Sequence, residues 1–478
     1  MTTTAIGDRI RVPRTRASIG VARRDVTPPV GIRAKNWGPA DWERSEGAHR
    51  PFALTALAVT GSDARLRMLL AIDATWWRRV DDEQRVRGAI LDGLGLAPDQ
   101  LMISLSHTHA GAVLCAADAH LPGGELIPGY LDALAAAGIS AGREAIRSAS
   151  PGVIEWATGT CTLAADRELD LDGRPLVGFN PDGDADDTVM IGRLSVEGEV
   201  RATLVNYACH PTTLAWQSRE VSPDYVGAMR ELVEAETGAP CLFVQGASGE
   251  LAPREQYTGD VAVADRHGRS LGHAVLAALD ALPLPGEELT LAGVVESGAP
   301  LAIWSGRPAS GGEVLDGGVA SVELALRDLP SLDDLAEEWK DIDPRSRAER
   351  LGRARNLRDG YIDGPTVSHP VWAWRWGDAV IVGHPGEAYS PLQTGLRARF
   401  PGTPIVVMNL TNGPGFVYLP TREAYDRGAY QAWQTPLAPG ALELLENHAA
   451  SLVAALLADG AATPAGAGTN SRPHEGEK

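Results

Sequence analysis

The sequence predicts a mixed α+β fold of the α/β class, with mixed β-sheets flanked by helices. Short apolar runs of strand composition alternate along the chain with Ala-rich segments that have helical spacing. Several of the strand-like runs end in small residues accompanied by a histidine, carboxylate or amide side chain. Because α/β proteins usually build their sites in the loops at the carboxyl ends of strands, these endings are the candidate positions of a site.

The composition limits the classes of partner. A chain of 478 residues with a formal net charge of −19 is not expected to bind nucleic acid or an anionic membrane surface through electrostatics. We find neither an N-terminal apolar segment nor a long uncharged apolar run, so we expect a cytoplasmic protein without a membrane span. The four cysteines have no metal-binding spacing and are expected to be reduced and buried. The expected partner is a small-molecule substrate, and the oligomeric state stays open.

Composition also suggests the domain organisation. We expect a flexible N-terminus over residues 1–18, one folded domain over residues 19–459 and a disordered tail over residues 460–478. Residues 297–368 are more polar and hold two predicted helices split by Pro344. We interpret this region as an insertion or subdomain rather than as a separate folding unit.

The individual elements follow from periodicity and turn signals. Apolar or alternating runs predict strands over residues 19–22, 52–60, 67–73, 100–103, 153–157, 189–196, 201–208, 241–245, 371–376, 379–382 and 404–410. Helical spacing predicts helices over residues 81–94, 130–149, 226–236, 260–282 and 440–457. Trp372, Trp374 and Trp376 alternate on one strand face; we interpret them as core, with an apolar acyl groove as the alternative.

A His-x-His pair, His107 and His109, follows the strand predicted over residues 100–103. Neutral imidazole is a good zinc ligand, and residues two apart on an extended chain point the same way. The alternative is that hydrogen bonds to backbone or carboxylate groups satisfy both rings. The pair alone does not decide between the two interpretations.

Five predicted strands end in a similar way, which favours a single pocket at one end of a sheet. The side chains at these ends are His107 and His109, then His210, then Gln245, Ser248 and Glu250, then Glu387, and finally Asn412 and Tyr418. Two histidines and one glutamate supply the ligands of a hydrolytic zinc site, which keeps one position open to water. The sequence therefore predicts a Zn²⁺ pocket at the strand ends.

A family resemblance rests on the same residues. The sequence resembles the catalytic domain of the neutral, non-lysosomal ceramidases from about residue 19 to about residue 457. The likeness consists of five motifs in the family's order: Ser106-His107-Thr108-His109-Ala110-Gly111, Asn206-Tyr207-Ala208-Cys209-His210-Pro211-Thr212, Gln245-Gly246-Ala247-Ser248-Gly249-Glu250, Pro385-Gly386-Glu387 and Tyr418-Leu419-Pro420-Thr421-Arg422-Glu423-Ala424-Tyr425.

The resemblance implies a zinc-dependent amidase that cleaves an N-acyl bond with water activated by the metal. The ligands that it implies are His107, His210, Glu387 and Tyr418. His109 is then a catalytic group that relays a proton or polarises the substrate, and Tyr418 is counted with it as catalytic. Asp73, Asp224 and Glu250 are candidates to orient the ligand histidines, and structural carboxylates are the alternative. Gln245, Ser248, His384 and Asn412 are expected either to contact and support the ligand residues or to bind the substrate.

Two departures from the family pattern affect the expected substrate. Ala252 stands where the family has a serine, and its side chain has no hydroxyl. His384 stands where the family usually has an apolar residue before Pro-Gly-Glu. We also expect the chain to lack the family's C-terminal domain and secretion signal. The expected substrate is therefore soluble or other than ceramide. A catalytically silent binder of small molecules or metal, and an esterase or lactonase, are the alternatives.

Overall fold

The computed structural model describes residues 9–362, 364–414 and 417–459. The tail predicted over residues 460–478 and the first eight residues of the predicted flexible N-terminus lie outside the described residues.

The strands are spread along the whole described chain. They are β1 Arg9–Ile10, β2 Arg14–Asp25, β3 Gly47–Ala48, β4 Ala53–Thr60, β5 Leu66–Ile72, β6 Leu101–Leu105, β7 Ser150–Thr160, β8 Ala164–Asp166, β9 Glu168–Leu171, β10 Arg174–Val177, β11 Thr188–Val196, β12 Glu199–Tyr207, β13 Glu220–Val221, β14 Cys241–Gln245, β15 Leu251–Pro253, β16 Glu287–Glu296, β17 Pro300–Pro308, β18 Leu315–Ala325, β19 Thr366–Trp376, β20 Ala379–Gly383, β21 Glu387–Ala388, β22 Ile405–Met408 and β23 Tyr418–Leu419.

The helices are interspersed with these strands. They are α1 Val80–Leu94, α2 Ile127–Arg147, α3 Tyr225–Thr237, α4 Val261–Asp280, α5 Leu332–Glu338, α6 Pro344–Arg358, α7 Pro391–Arg399, α8 Arg422–Asp426, α9 Tyr430–Gln434 and α10 Ala441–Asp459. Three 3₁₀ helices, Pro98–Gln100, Ala116–His120 and Gly124–Leu126, complete them. The predicted mixed α+β class is confirmed.

Two mixed sheets carry the architecture. The larger has eight strands in the order β14-β12-β11-β7-β2-β4-β5-β6, and only its outer pairs, β14 with β12 and β5 with β6, are parallel. The second has four strands in the order β18-β19-β20-β22, with β20 and β22 parallel. Parallel strands lie at the places where chain crossovers bring carboxyl ends to the same edge.

The two sheets pack face to face, and helices cover their outer sides. Trp372, Trp374 and Trp376 are buried between the sheets against Trp156 and Met102. This places the tryptophans in the core, and the acyl-groove alternative is wrong. Helices α1 and α2 cover one part of the eight-stranded sheet, α3 and α4 another, and α7 and α10 the four-stranded sheet.

Strand β22 and the loop after it join opposite edges of the eight-stranded sheet. Strand β14 at one edge contacts β5 and β6 at the other. The Asn206 side chain donates to the carbonyls of Val244 (3.1 Å) and Val407 (2.9 Å), which links β12 to β14 and β22. The Asn412 side chain accepts from Ile103 N and donates to Leu101 O, both at 2.8 Å. These bonds bring the ends of β6, β12, β14, β20 and β22 together.

Some boundaries differ from the prediction. Strand β2 begins at Arg14 rather than at residue 19, because residues 14–19 pair with β7. Residues 14–18, assigned to the flexible N-terminus, are therefore part of the sheet, and the Arg14 and Thr15 side chains are buried. Strand β18 pairs with β19 along its whole length, so the region over 297–368 is partly integral to the four-stranded sheet. The two predicted helices of this region are α5 and α6, and α6 begins at Pro344.

The last helix passes a length and composition test for a membrane span. Residues Ala441–Ala458 of α10 have a mean hydropathy of 1.3, and 33% of this window is buried in the fold. Its Leu442, Leu445 and Val453 belong to the core that contains α7. The expectation that the chain lacks a membrane span stays a prediction.

We predict that Asn412→Ala lowers the free energy of unfolding by about 1–3 kcal/mol, because it leaves the buried Ile103 N–H and Leu101 C=O without their side-chain partner. Asn447→Ala is the matched control, since Asn447 is exposed and bonds Arg399 on the surface. Urea unfolding of both variants measures the difference. Equal stability of the two variants would contradict the bridging role of Asn412.

Candidate metal centre

His107, His210 and Glu387 meet in a buried cluster at the strand ends. His107 follows β6, His210 follows β12, and Glu387 begins β21, which pairs with β23 at Tyr418. His107 Nε2 lies 3.1 Å from His210 Nε2 and 3.2 Å from Glu387 Oε2, and His210 Nε2 lies 3.0 Å from the same oxygen. The three side chains, predicted from separate motifs, are thus brought into direct contact.

His109 extends the cluster on its other side. Its Nε2 lies 3.4 Å from His107 Nε2, and the ligand atoms of His107, His109 and His210 all lie within 4.8 Å of one another. The cluster therefore offers two trios that share His107 and His210, one completed by His109 and one by Glu387. The resemblance implied the second trio, together with Tyr418, as metal ligands.

The atoms have the spacing of metal ligands. Four ligands at the usual zinc distance of about 2.0–2.1 Å in a tetrahedron are separated by about 3.3 Å. The observed separations of 3.0–3.4 Å fall around this value. Imidazole nitrogens and a carboxylate oxygen also form the donor set of catalytic zinc sites. The cluster therefore fits a divalent metal ion.

The His210 ring is fixed by the loop after β14. Its Nδ1 donates to the Ser248 carbonyl at 2.6 Å, which leaves Nε2 with the lone pair that a metal ligand needs. Burial, followed by the positive charge of Arg167, lowers the pKa of His210 to about 3. His210 is therefore a neutral imidazole at physiological pH. His107 has no matching bond, since its buried Nδ1 has no partner among the described residues.

The electrostatics of the cluster favour an ionised Glu387. Burial alone would raise the pKa of its carboxyl, but attraction to His107 and hydrogen bonds with His107 and His210 lower the pKa overall. An ionised carboxylate beside the neutral His210 imidazole is a pair of donors that binds a cation.

His109 lies between the cluster and a cavity. Its ring contacts Trp76 at 4.8 Å and Trp37 at 5.3 Å between centroids. Burial, followed by the neighbouring His107, lowers the pKa of His109 well below its usual value. His109 is therefore a neutral imidazole that can take a proton from the cavity side.

Arg167 is a site residue that the sequence interpretation missed. It is buried, and its Nε and Nη2 donate to the Gly249 carbonyl at 3.1 and 2.6 Å. Nη2 also lies 3.2 Å from His210 Nε2 and 3.3 Å from Tyr418 Oη. Its Nη1 makes no hydrogen bond to any described residue and is available to a ligand. Arg167 lies between the short strands β8 and β9, which leave no periodic signal, so a lone arginine there could not be distinguished from a surface residue.

Tyr418 lies beside Arg167 at the edge of the cluster, with its ring stacked 6.3 Å from that of His210. Burial, followed by the nearby Glu387 carboxylate, raises the pKa of the Tyr418 phenol well above its usual value. A phenolate at this position would need a bound cation to stabilise it. Without one, Tyr418 is a neutral hydrogen-bonding group.

A cavity of about 410 Å³ opens next to the cluster. His109, Arg167 and Tyr418 line it where it adjoins the cluster, and Trp339 and Trp433 are among its other wall residues. Helices α5, α6 and α9 supply much of that wall, so the region over residues 297–368 shapes the cavity.

Gln245, Ser248 and Asn412 do not line this cavity, and the contacts of Gln245 and Ser248 fit the predicted role of supporting the ligand residues rather than that of binding substrate. Gln245 Nε2 donates to Ser248 Oγ (2.7 Å) and to the Cys209 carbonyl (2.9 Å), so both side chains support the loop that holds His210. Asn412 bonds the backbone of β6, as described above. Polar residues at strand ends satisfy backbone groups here rather than a ligand.

The predicted carboxylates do not orient histidines. Asp224 accepts from Leu214 N and Tyr225 N at 2.9 and 2.7 Å and caps α3. Asp73 forms an ion pair with Arg230 at 2.7 Å and accepts from Ala53 N. Glu250 accepts from the Ser390 backbone and hydroxyl. For all three carboxylates, the structural alternative is the correct one.

His384 supports the Glu387 loop from outside the cluster. Its Nδ1 lies 3.1 Å from His369 Nε2 and accepts from Gly386 N at 3.2 Å, while its Nε2 lies 2.8 Å from Asn409 Oδ1. His384 is fully buried and does not line the cavity. It is a positioning residue for Glu387 and not a further ligand.

These features define a mixed α+β protein with a buried histidine and carboxylate cluster at its strand ends. Two solved structures with the same fold are ceramidases. The neutral ceramidase from Pseudomonas aeruginosa matches with a TM-score of 0.66 and 15% sequence identity, over 94% of this chain and 75% of that one. A ceramidase complexed with C2 matches with a TM-score of 0.66 and 14% identity, over 94% and 76% of the two chains.

The sequence itself gives no further match: no model of a known family and no curated protein matches the chain. The likeness in structure confirms that the chain has the neutral ceramidase fold, as the five motifs predicted.

We predict that the purified protein contains one divalent metal ion per chain, and that His107→Ala, His210→Ala and Glu387→Ala each lose it. Each variant removes a donor atom from the 3.0–3.2 Å contacts. Elemental analysis of protein prepared without added metal measures the content. His120→Ala is the control, because His120 is an exposed histidine outside the cluster. Full metal occupancy in a His107→Ala, His210→Ala double variant would refute the centre.

A second prediction concerns the pH dependence of stability. Burial raises the pKa of the Glu250 carboxyl from 4.5 to about 8. The folded state therefore binds this proton more tightly than the unfolded chain does, and stability falls as pH rises through this interval. We expect Glu250→Gln to remove that loss, so that the Tm of the variant relative to wild type rises between about pH 5 and about pH 9.

Glu255→Gln provides the control for this measurement, because Glu255 is exposed and pairs with Arg266 on the surface. The Tm of Glu255→Gln relative to wild type should stay constant between about pH 5 and about pH 9. A Glu250→Gln difference that is constant across the same pH range would show that Glu250 carries no shifted pKa.

Proposed function

We propose that this protein is a zinc-dependent hydrolase that cleaves an amide bond in a small N-acyl compound. The observation that carries the proposal is the meeting of His107, His210 and Glu387 in a buried cluster, next to a cavity that His109 and Arg167 line. The fold shared with ceramidases supports amide hydrolysis over other metal chemistry. We propose a soluble or non-ceramide substrate and a cytoplasmic location on the sequence arguments alone.

Zinc held by these ligands would act as a Lewis acid on a carbonyl oxygen and lower the pKa of water. His109 suits the role of general base, because it is neutral and lies at the cavity side of the cluster. Arg167 brings a fixed positive charge with a free Nη1 to the same place. There it would stabilise the negative charge that develops on the carbonyl oxygen.

A serine nucleophile is not part of the proposed reaction. Ala252 is buried in β15, where it pairs with Ala165 of β8, and it offers no hydroxyl. The nearby Ser248 hydroxyl bonds Gln245 and does not line the cavity. Attack by water therefore fits the available side chains better than attack by a hydroxyl of this loop. The same buried alanine is the observation that favours the second candidate, a catalytically silent binder.

Turnover by the metal-loaded protein tests these candidates. N-acyl amino acids, N-acyl amines, short-chain ceramides, and esters or lactones of matched acyl length are incubated with it, and product formation is followed. Release of an amine from any amide eliminates the silent binder. Cleavage confined to esters or lactones would replace the amidase proposal with the esterase alternative, and no turnover by fully metallated protein would overturn both.

We predict that His109→Gln lowers kcat by about 10²–10⁴-fold while the metal content stays at the wild-type level, because His109 moves a proton and Glu387 completes the ligand set. Steady-state kinetics and elemental analysis of the same sample measure both quantities. Ala252→Ser is the matched control and is expected to keep wild-type activity. Loss of metal from His109→Gln would make His109 a ligand and contradict its role as a base.

A further inference from the structure

The cavity beside the metal centre is positively charged in a protein that is strongly negative. The chain has a formal net charge of −19. The cavity walls nevertheless contain Arg167, Arg327, Arg350, Arg353 and Arg358, while Glu349 is the acidic residue among the described wall residues. A cleft lined by one sign of charge concentrates ligands of the opposite sign. The walls therefore select for an anion.

Four of these arginines already have partners. Arg353 forms an ion pair with Glu349 and donates to Tyr430 Oη at 3.0 Å. Arg358 donates to the carbonyls of Pro330 (2.6 Å) and Ala354 (2.8 Å), Arg327 to those of Ala432 and Trp433, and Arg167 to that of Gly249.

Arg350 is held in place without an anionic partner. Its guanidinium carbon lies 4.9 Å from the centroid of Trp433 and 5.7 Å from that of Trp339, and these two rings stack at 5.7 Å. Among the described residues, no carboxylate pairs with Arg350 and no group accepts a hydrogen bond from it. Cation–π contacts position the side chain and leave its N–H groups free.

The charges on helix α6, which carries Arg350, also favour the binding of an anion. Arg347, Arg350 and Arg353 follow one another at intervals of three residues on α6, so their side chains are neighbours on the helix surface. Like charges at this spacing repel each other. An anion bound at Arg350 would relieve this repulsion as well as pair the free guanidinium.

We propose that the cavity binds a substrate that carries a carboxylate, with Arg350 as the residue that recognises it. The inference rests on the proposed function, because the scissile amide would lie at the His109 end of the same cavity. A carboxylate is chosen because a single free guanidinium matches it with two parallel hydrogen bonds. Trp339 and Trp433 add apolar surface next to the charge. N-acyl amino acids are the simplest compounds of this class.

Paired substrates test the proposal. N-acylglycine and N-acylethanolamine of the same acyl length differ in the carboxylate, and we expect kcat/KM of the metal-loaded enzyme to favour the first at least about tenfold. Arg350→Gln should lower kcat/KM for the acylglycine by about 10–100-fold and change that for the acylethanolamine less than about twofold. Arg355→Gln, an exposed arginine on the same helix, is the matched control and should change neither.

A binding measurement separates this inference from the proposed function. Tryptophan fluorescence of the protein is titrated with octanoate, octyl phosphate and octanol, for wild type and Arg350→Gln. If octanoate binds more tightly than octanol, if Arg350→Gln loses this preference, and if no amide is turned over, the carboxylate site is supported and the hydrolase is refuted. If N-acylglycine and N-acylethanolamine are hydrolysed with equal kcat/KM, and neither value changes in Arg350→Gln, the hydrolase is supported and the carboxylate site is refuted. Tighter binding of octyl phosphate than of octanoate would also overturn the carboxylate assignment.

Discussion

The structure depends on the burial of one carboxylate against histidines at the ends of strands from both sheets. Glu387, His107 and His210 are almost completely inaccessible, and their polar atoms lie 3.0–3.2 Å apart. Removing such groups from water is costly unless they are paired, and hydrogen bonds with imidazoles compensate a buried carboxylate only in part. A divalent cation would satisfy all three at once, so metal binding and stability of this end of the fold should be coupled.

His107, His210 and Glu387 can meet only if the eight-stranded and four-stranded sheets are joined at the end where these residues lie. The side chains of Asn206 and Asn412 do this by bonding backbone groups of β14, β22 and β6, which secondary-structure pairing leaves free. The Ser248 carbonyl then fixes the His210 tautomer, and the His384 ring holds the loop that carries Glu387. The centre is thus supported by hydrogen bonds between side chains and backbone, so its ligands need little rearrangement to bind an ion.

The sequence predicted most of this arrangement, because strands, helices and the residues that end them leave local signals. Apolar runs marked β6, β12, β14, β20 and β22, and the polar residues after them located His107, His109, His210 and Glu387. The local sequence does not indicate which group each of these polar side chains contacts. Asn412 and Asp224 bond backbone groups instead of a ligand, and Arg167 lies between two strands too short to show periodicity. Such assignments depend on contacts between distant segments and need coordinates.

The two rings of the His-x-His pair lie together, but the backbone does not have the extended conformation from which this was predicted. His107 has φ of +66°, a left-handed conformation, so the chain there is not an extended strand on which alternate side chains point the same way. The loop nevertheless brings both Nε2 atoms to 3.4 Å, because Ser106 N and Thr108 N bond the carbonyls of Ile72 and Ala74 and the Thr108 hydroxyl bonds that of Ser222. A left-handed non-glycine residue costs about 1–2 kcal/mol, and these bonds offset that cost. Because the loop is already ordered by its own hydrogen bonds, ion binding would not have to supply the energy that orders it.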